Sequence, residues 1–377
     1  MSTPKIPLVD LKANYARHAE AIDAGIRGVI ETTSFIQGPA LAEFEAAFAR
    51  FCAVRHAIGV GSGTAAIHLA LDALGIGPGD EVAVPAHTFI ATAEPISWLG
   101  ARPRFVDIDP GTGAMDPAAL EAKIDGVAAV MPVHIHGRMV DLPAISAIAA
   151  QAGVPVIEDA AQAHGAEYLS PSGTRTRAGS YSLVGVFSFY PGKNLGAYGD
   201  AGAVTTNDDE LAAKIRMLRD HGRIAKYEHL IVGHAHRMDT LQAAVLLAKL
   251  PSLDADNARR RELAARYDEQ LRGVGDLTLL ADPADRISVY HHYVVRTQHR
   301  EALLKHLNAN GVGAGIHFPI PLHLQPAYAS LGYQRGDLPH TEAFADECLS
   351  LPIYPELTDE QSDRVVAEVK AYFAQAA

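Results

Sequence analysis

The sequence has 377 residues, 48% hydrophobic, 20% charged and 7% aromatic, the proportions of a folded globular protein and not of a disordered or collagen-like one. Its 32 Lys and Arg against 44 Asp and Glu give a net charge of −12, which excludes a general nucleic-acid surface but leaves room for an anionic small ligand at a local positive site. At this length one core usually gives way to two, so a large domain with a smaller companion is expected. Apolar runs fall well short of the ~20 residues that cross a bilayer. The opening MSTPKIPLVD has no signal-peptide pattern, and Cys52 and Cys348 are too few for a disulfide framework. A cytoplasmic protein without nucleic-acid or membrane partners is the expectation.

In chain order, Leu41, Phe44, Phe48 and Phe51 mark one face of a helix. His56–Val60 then reads as a short apolar strand, followed by Gly61-Ser62-Gly63-Thr64 and a helical run from Ala65 to Leu74. Gly77-Pro78-Gly79-Asp80 is a turn, and Glu81–Pro85 the next strand. The beat repeats at Arg104–Ile108, Val127–Val133 and Val154–Asp159, each apolar run separated by a helical stretch. That alternation is the mark of βαβ units and a buried, largely parallel sheet. Two more strands are expected at Val186–Phe189 and Gly202–Thr206. A long amphipathic helical region from about Asp239 to Leu271 leads into mixed strands and helices, ending with a helix near Glu360 to Ala374. The domain boundary is placed near Pro251, giving residues 1–250 and 251–377.

Three short motifs carry chemistry. Gly59-Val60-Gly61-Ser62-Gly63-Thr64 lacks the glycine spacing of a dinucleotide fingerprint, and no G-x-x-x-x-G-K-[ST] loop occurs. What remains is a small-residue turn opening a helix, either a plain tight turn or a phosphate cradle built from free N–H groups and the positive end of the helix dipole. Glu158-Asp159 ends a strand where open α/β sheets bind ligands, although Asp159 could equally cap a helix. Lys193, in Tyr190-Pro191-Gly192-Lys193-Asn194, is either solvated or an amine nucleophile held near apolar groups. Together they meet the needs of pyridoxal phosphate: N–H donors for the phosphate, an acid opposite the pyridine nitrogen and an amine for the Schiff base.

The ordered motifs IPLVDL, GSGTAAIHLAL, PAHTFIATAEPI, VIEDAAQAHGA, FSFYPGKNLGAYGDAGAV, RMDTLQAAVLLAKL, HFPIPLHLQPAY and LSLPIYPELT span nearly the whole chain. In them the sequence resembles the DegT/DnrJ/EryC1/StrS family of pyridoxal-phosphate sugar aminotransferases. The resemblance implies a fold-type I, aspartate-aminotransferase-like architecture: a large mixed or parallel-sheet α/β domain with a smaller C-terminal α+β domain. It implies that Lys193 carries the cofactor, Asp159 pairs with the pyridinium nitrogen, Gln162 lies on the ring-hydroxyl side and Phe89 stacks on the ring. Gly63, Thr64, Ala65 and Ser188 would hold the phosphate. A homodimer with shared active sites is implied, as is transfer of an amine from L-glutamate to a keto sugar on a nucleoside diphosphate, most simply a dTDP-linked 6-deoxyhexose aminated at C-3 or C-4, with ping-pong kinetics. The rivals are an aminocyclitol aminotransferase acting on an inosose and a non-catalytic regulator. Dehydrating relatives carry His at the lysine position, so Lys193 argues against dehydration.

Two departures from the family pattern stand out. Ala235 replaces an Asn that in many relatives reaches the partner subunit's cofactor phosphate, leaving His234, His236 or a water to compensate. His136 stands where an aromatic such as Tyr is commoner. Arg216, Arg219, Arg223, Lys226 and Arg237, with four histidines and only Asp220 and Glu228 against them, read as a cationic patch for the substrate's diphosphate. Arg223, His234, His236, His317 and His323 are the candidate substrate contacts. The pairs His134-x-His136 and His234-x-His236 have no Cys or carboxylate at ligand spacing and no H-E-x-x-H occurs, so no metal is expected.

Overall fold

The computed structural model describes residues 5–376. Seven strands form its centre: β1 (His56–Val60), β2 (Glu81–Pro85), β3 (Arg102–Val106), β4 (Ala129–Val130), β5 (Ile157–Asp159), β6 (Val184–Ser188) and β7 (Gly202–Thr206). β3, β2 and β4 pair in parallel, as do β5 and β6. The parallel bridges Val130–Val156 and Val133–Asp159 join β4 to β5. β7 runs antiparallel to both β6 and β1. The sheet order is thus β3-β2-β4-β5-β6-β7-β1, with one reversed strand in an otherwise parallel array.

The strands are short and apolar because both faces are covered. On β6, Val184 and Val186 enter one core with Leu69, Val84 and Phe105, whereas Phe187 enters the other with Phe44, Phe48 and Leu246. This is the alternation of a pleated strand. Helix α1 (Leu11–Thr32) begins at Asp10, whose side chain accepts from the N–H groups of Lys12 and Ala13. α2 (Pro39–Cys52) carries the predicted Leu41/Phe44/Phe48 face into the core. α3 (Gly63–Ala73) follows β1, and α4 (Asp209–Arg219) follows β7.

The helical region expected from Asp239 to Leu271 comprises two helices, α5 (Thr240–Lys249) and α6 (Leu253–Leu271), joined by a 3₁₀ turn at Leu250–Ser252. Pro251 is the reason: it has no N–H to give the ladder, and its ring clashes with the preceding turn. Beyond it, Thr278–Leu279, β8 (Tyr293–Arg296) and β9 (Cys348–Leu351) form an antiparallel sheet covered by α6 and α7 (Asp359–Ala376). Ile6, from the other end of the chain, is buried in that same apolar cluster, and its backbone bonds to Gly311 and Gly313. No helix among the described residues is long and apolar enough to cross a membrane.

Candidate active site

The carboxyl ends of β4, β5 and β6 open into a cavity of about 660 Å³, the position at which open α/β sheets present their ligand-binding groups. Gly63, Thr64, Phe89, Asp159, Gln162, Ser188, Lys193 and His317 all line it. At one end, Ser62 caps α3 by accepting the N–H of Ala65 at 3.0 Å. That cap occupies the donor the sequence had assigned to phosphate, and Ala65 does not line the cavity. Gly63 and Thr64 do, at the positive end of the helix dipole. Residue 63 has to be glycine, since a Cβ there would stand 2.6 Å from Ser188 Cβ. The close approach brings the Ser188 side chain against the first turn of α3.

Asp159 is 3% exposed. It accepts from Thr92 Oγ1 at 2.9 Å and from the Ala161 N–H at 3.1 Å. Burial pushes its carboxyl upward, against the pull of those hydrogen bonds and of the Lys193 charge. Lys193 follows β6 in a turn closed by its own N–H to Tyr190 O at 2.8 Å. Burial lowers its ammonium from 10.5 to about 8, with Asp159 working in the opposite direction. Gln162 Oε1 accepts the His136 N–H at 2.6 Å, which fixes the amide orientation and leaves its NH₂ to donate elsewhere.

Adjacent residues on β5 serve opposite sides of the sheet. Glu158 is fully buried and accepts from the N–H groups of Gly179, Tyr181 and Ser182. It also receives His134 Nε2 at 3.0 Å. The Val140 N–H donates to His134 Nδ1, so this imidazole carries its proton on Nε2 and gives it to Glu158. Glu158 anchors the 179–182 loop, while Asp159 serves the cavity.

The opposite wall is made of rings. His291, His292, His317 and Phe318 line it. The His292 and His317 rings stack with centroids 3.6 Å apart, and His317 Nδ1 lies 2.7 Å from Ser350 Oγ. Asn194 donates to Asn257 Oδ1 and Val289 O, and its own Oδ1 receives His291 Nδ1. The residue after Lys193 therefore ties the lysine turn to this wall. His136 stands one layer behind, with its Nδ1 3.1 Å from His292 Nδ1 and a left-handed φ of 59°. Burial holds His291 and His292 well below their usual range and His317 at about 4, each helped by the Lys193 charge. The wall is polar but uncharged at neutral pH. Thr92, Asn194, His291 and His292 escaped the sequence reading; the doublet in Val289-Tyr290-His291-His292-Tyr293 was the available signal.

Four expected substrate residues are not brought to this cavity. His323 is 1% exposed and pairs with Glu342 Oε1 at 3.1 Å, in the core. Arg223 pairs with Asp220. His234 Nε2 lies 2.9 Å from Asp72 Oδ2, and His236 Nε2 is 3.1 Å from His68 Nδ1. The cationic patch is also largely compensated: Glu45, from α2, takes both Arg216 and Arg219, and Asp220 takes Arg237 as well as Arg223.

The donor set fits pyridoxal phosphate: a glycine-tight helix start beside Ser188, a buried carboxylate and a lysine amine around one cavity. Comparisons with known proteins agree. Residues 17–370 match the model of the DegT/DnrJ/EryC1/StrS aminotransferase family. The chain is 45% identical over 371 residues to the dTDP-3-amino-3,4,6-trideoxy-alpha-D-glucose transaminase of Streptomyces venezuelae, covering 98% of this chain and 97% of the relative. It is 44% identical to a pleiotropic regulatory protein of Geobacillus stearothermophilus, covering 98% of each. The crystal structure of S. venezuelae DesV in complex with a ketimine intermediate superposes with a TM-score of 0.95 at 44% identity, covering 98% of this chain and 99% of that one. The chain belongs to the DegT/DnrJ/EryC1/StrS aminotransferase family and has the fold-type I architecture of its sugar aminotransferases.

Proposed function

We propose that the chain uses pyridoxal phosphate to move an amine from L-glutamate to a keto sugar carried on a nucleoside diphosphate, and that the sugar is a dTDP-linked 6-deoxyhexose aminated at C-3. The observation that carries this reading is the convergence of Lys193, Asp159 and the start of α3 on one cavity. The substrate class rests on the Streptomyces relative, named for a dTDP-linked 3-amino sugar.

When bound, the cofactor supplies an aldehyde that takes up amino groups and a ring that accepts the electron pair left by proton loss. The protein does the rest. Gly63, Thr64 and Ser188 hold the phosphate with N–H, hydroxyl and helix-dipole contacts. Asp159, kept in place by Thr92 and the Ala161 N–H, holds a proton on the pyridine nitrogen. Gln162, whose NH₂ is left free, and Phe89 line the same cavity and would hold the ring on its hydroxyl side and on its face. Lys193, its amine already depressed, would hold the cofactor's aldehyde and serve as the base and acid that moves the proton at the substrate carbon. Residues 1–250 supply these groups, whereas residues 251–377 supply His291, His292 and His317, which orient the sugar hydroxyls without adding charge. We place the chain in a homodimer with shared active sites.

The test is a panel of dTDP- and UDP-linked keto sugars assayed with glutamate. Loaded protein should be yellow, bleach on glutamate and aminate the dTDP-linked 3-keto-6-deoxy sugar. Amination of UDP sugars alone, or of a free inosose, would overturn the substrate assignment. A second reading comes from the Geobacillus relative, named as a regulator; a yellow protein that no amino acid bleaches would favour it.

A further inference from the structure

Outside the cavity, three histidines from two distant segments meet. His68 lies on α3, and His234 and His236 alternate along the segment that precedes α5. Each offers a ring nitrogen, and these nitrogens all lie within 4.8 Å of one another. His68 Nδ1 and His236 Nε2 are 3.1 Å apart, and the His234 and His236 rings stack at 5.1 Å. We propose that His68, His234 and His236 bind one divalent ion of the zinc class. The sequence reading excluded a metal because neither H-x-H pair had a further ligand at local spacing; α3 supplies the missing imidazole through the fold.

The chemistry of the cluster suits such an ion. Zinc–nitrogen bonds of about 2.0–2.1 Å set tetrahedral ligand nitrogens about 3.3 Å apart, close to the 3.1 Å between His68 Nδ1 and His236 Nε2; His234 completes the set within 4.8 Å. Metal binding requires unprotonated imidazoles. Asp72, one helical turn beyond His68, lies 2.9 Å from His234 Nε2. A His234 that donates there keeps a lone pair on Nδ1, the carboxylate–histidine–metal relay of many zinc sites. Three imidazoles without thiolate or a carboxylate ligand select Zn²⁺, Cu²⁺, Ni²⁺ or Co²⁺ over Mg²⁺ and Ca²⁺.

The ion would act as a staple. The Gly61 N–H donates to His236 O at 2.9 Å, so the 233–237 segment already rests on the turn that leads into α3. Cross-linking it to His68 fixes that segment behind the phosphate cradle. None of the three histidines lines the catalytic cavity, so the proposal stands apart from the amine-transfer reading.

The experiment uses tag-free, cofactor-loaded protein purified without a metal column, stripped by dialysis against chelator and titrated with Co²⁺, followed by Zn²⁺ competition. The expected result is one Co²⁺ per chain with the intense visible bands of a four-coordinate site, displaced by Zn²⁺. His68→Asn and His236→Gln, on separate elements, should each abolish those bands, and Asp72→Asn should weaken binding about tenfold. Circular dichroism identifies which variants fold. Failure of the stripped wild type to bind Co²⁺ would overturn the site. So would the same affinity and spectrum in a folded His68→Asn or His236→Gln protein, because the ion would then sit elsewhere, as on the cofactor phosphate.

Discussion

At the scale of single residues, Lys193 carries the sharpest consequence of burial. Its ammonium titrates at about 8 in the fold, against 10.5 for an ordinary lysine. Between those values the unfolded chain holds a proton that the folded chain has released. Stability of the cofactor-free protein therefore rises with pH through that window, and the full penalty applies below it. Lys193→Met removes the penalty along with the amine. At pH 7 the cofactor-free Met variant should be more stable than wild type by on the order of 3 kcal/mol, with the gap closing by about pH 10.5, while amine transfer is lost. Chemical denaturation at pH 7 and above pH 10 checks this; equal stability at pH 7 would show that Lys193 is not held in a desolvated site. Lys193 and Asp159 could be singled out in the sequence because each follows an apolar run at a strand end, whereas Ser188 was implied only by the family resemblance. His291 could not be singled out, since it reaches Asn194 across 97 positions and no local spacing encodes that meeting. His323 misled for the converse reason: its loop neighbours say nothing of Glu342, which claims it in the core.

At the scale of elements, β5 shows how one strand end serves two purposes. Successive side chains leave a strand on opposite faces, and so Glu158 faces the 179–182 loop while Asp159 faces the cavity. The two carboxylates should respond differently to loss of charge. In Glu158→Gln, an NH₂ must replace an oxygen that accepts backbone N–H groups or the His134 proton. A donor then faces a donor, at a cost of about 2–3 kcal/mol of stability. Asp159→Asn keeps an acceptor for Thr92 or Ala161 and so should fold normally, yet lose amine transfer by at least about a hundredfold, having no negative charge to hold the pyridine proton. Thermal melts and turnover of the two variants provide the check; a fully active Asp159→Asn enzyme would remove that residue from the chemistry. Strand positions were readable from apolar runs to within a few residues. Helix ends were readable where a breaker stood in the open: Pro251, at which the domain boundary was placed, is where α5 gives way to α6. α1 went unmarked; of its apolar residues Ile22 and Val29 are buried while Leu11, Tyr15 and Ile30 stay exposed.

At the scale of the whole molecule, alternating strands and helices announced a parallel sheet, but not that β7 runs against its neighbours, because apolar runs buried on both faces read alike in either direction. Charge was legible only as composition: the cations at 216–237 looked unopposed until Glu45, from α2, arrived beside two of them. Beside the exposed Lys226, Glu228 and His229, that segment also exposes four large apolar side chains. Ile224, Tyr227, Leu230 and Val232 are 56%, 84%, 64% and 92% exposed, within nine residues of chain. A soluble monomer seldom displays so many large apolar side chains together, and such patches mark contact surfaces. If the chain dimerises as proposed, this segment is the surface expected to meet the second copy. The double variant Tyr227→Glu, Val232→Glu puts two charges into that contact and touches no buried side chain of its own subunit. By sedimentation, wild type should run at twice the 40.1 kDa chain mass and the variant at the chain mass, with its fold unchanged and its amine transfer reduced in proportion to the lost dimer. A variant that remains dimeric would place the subunit contact on another face and leave this apolar stretch without a partner.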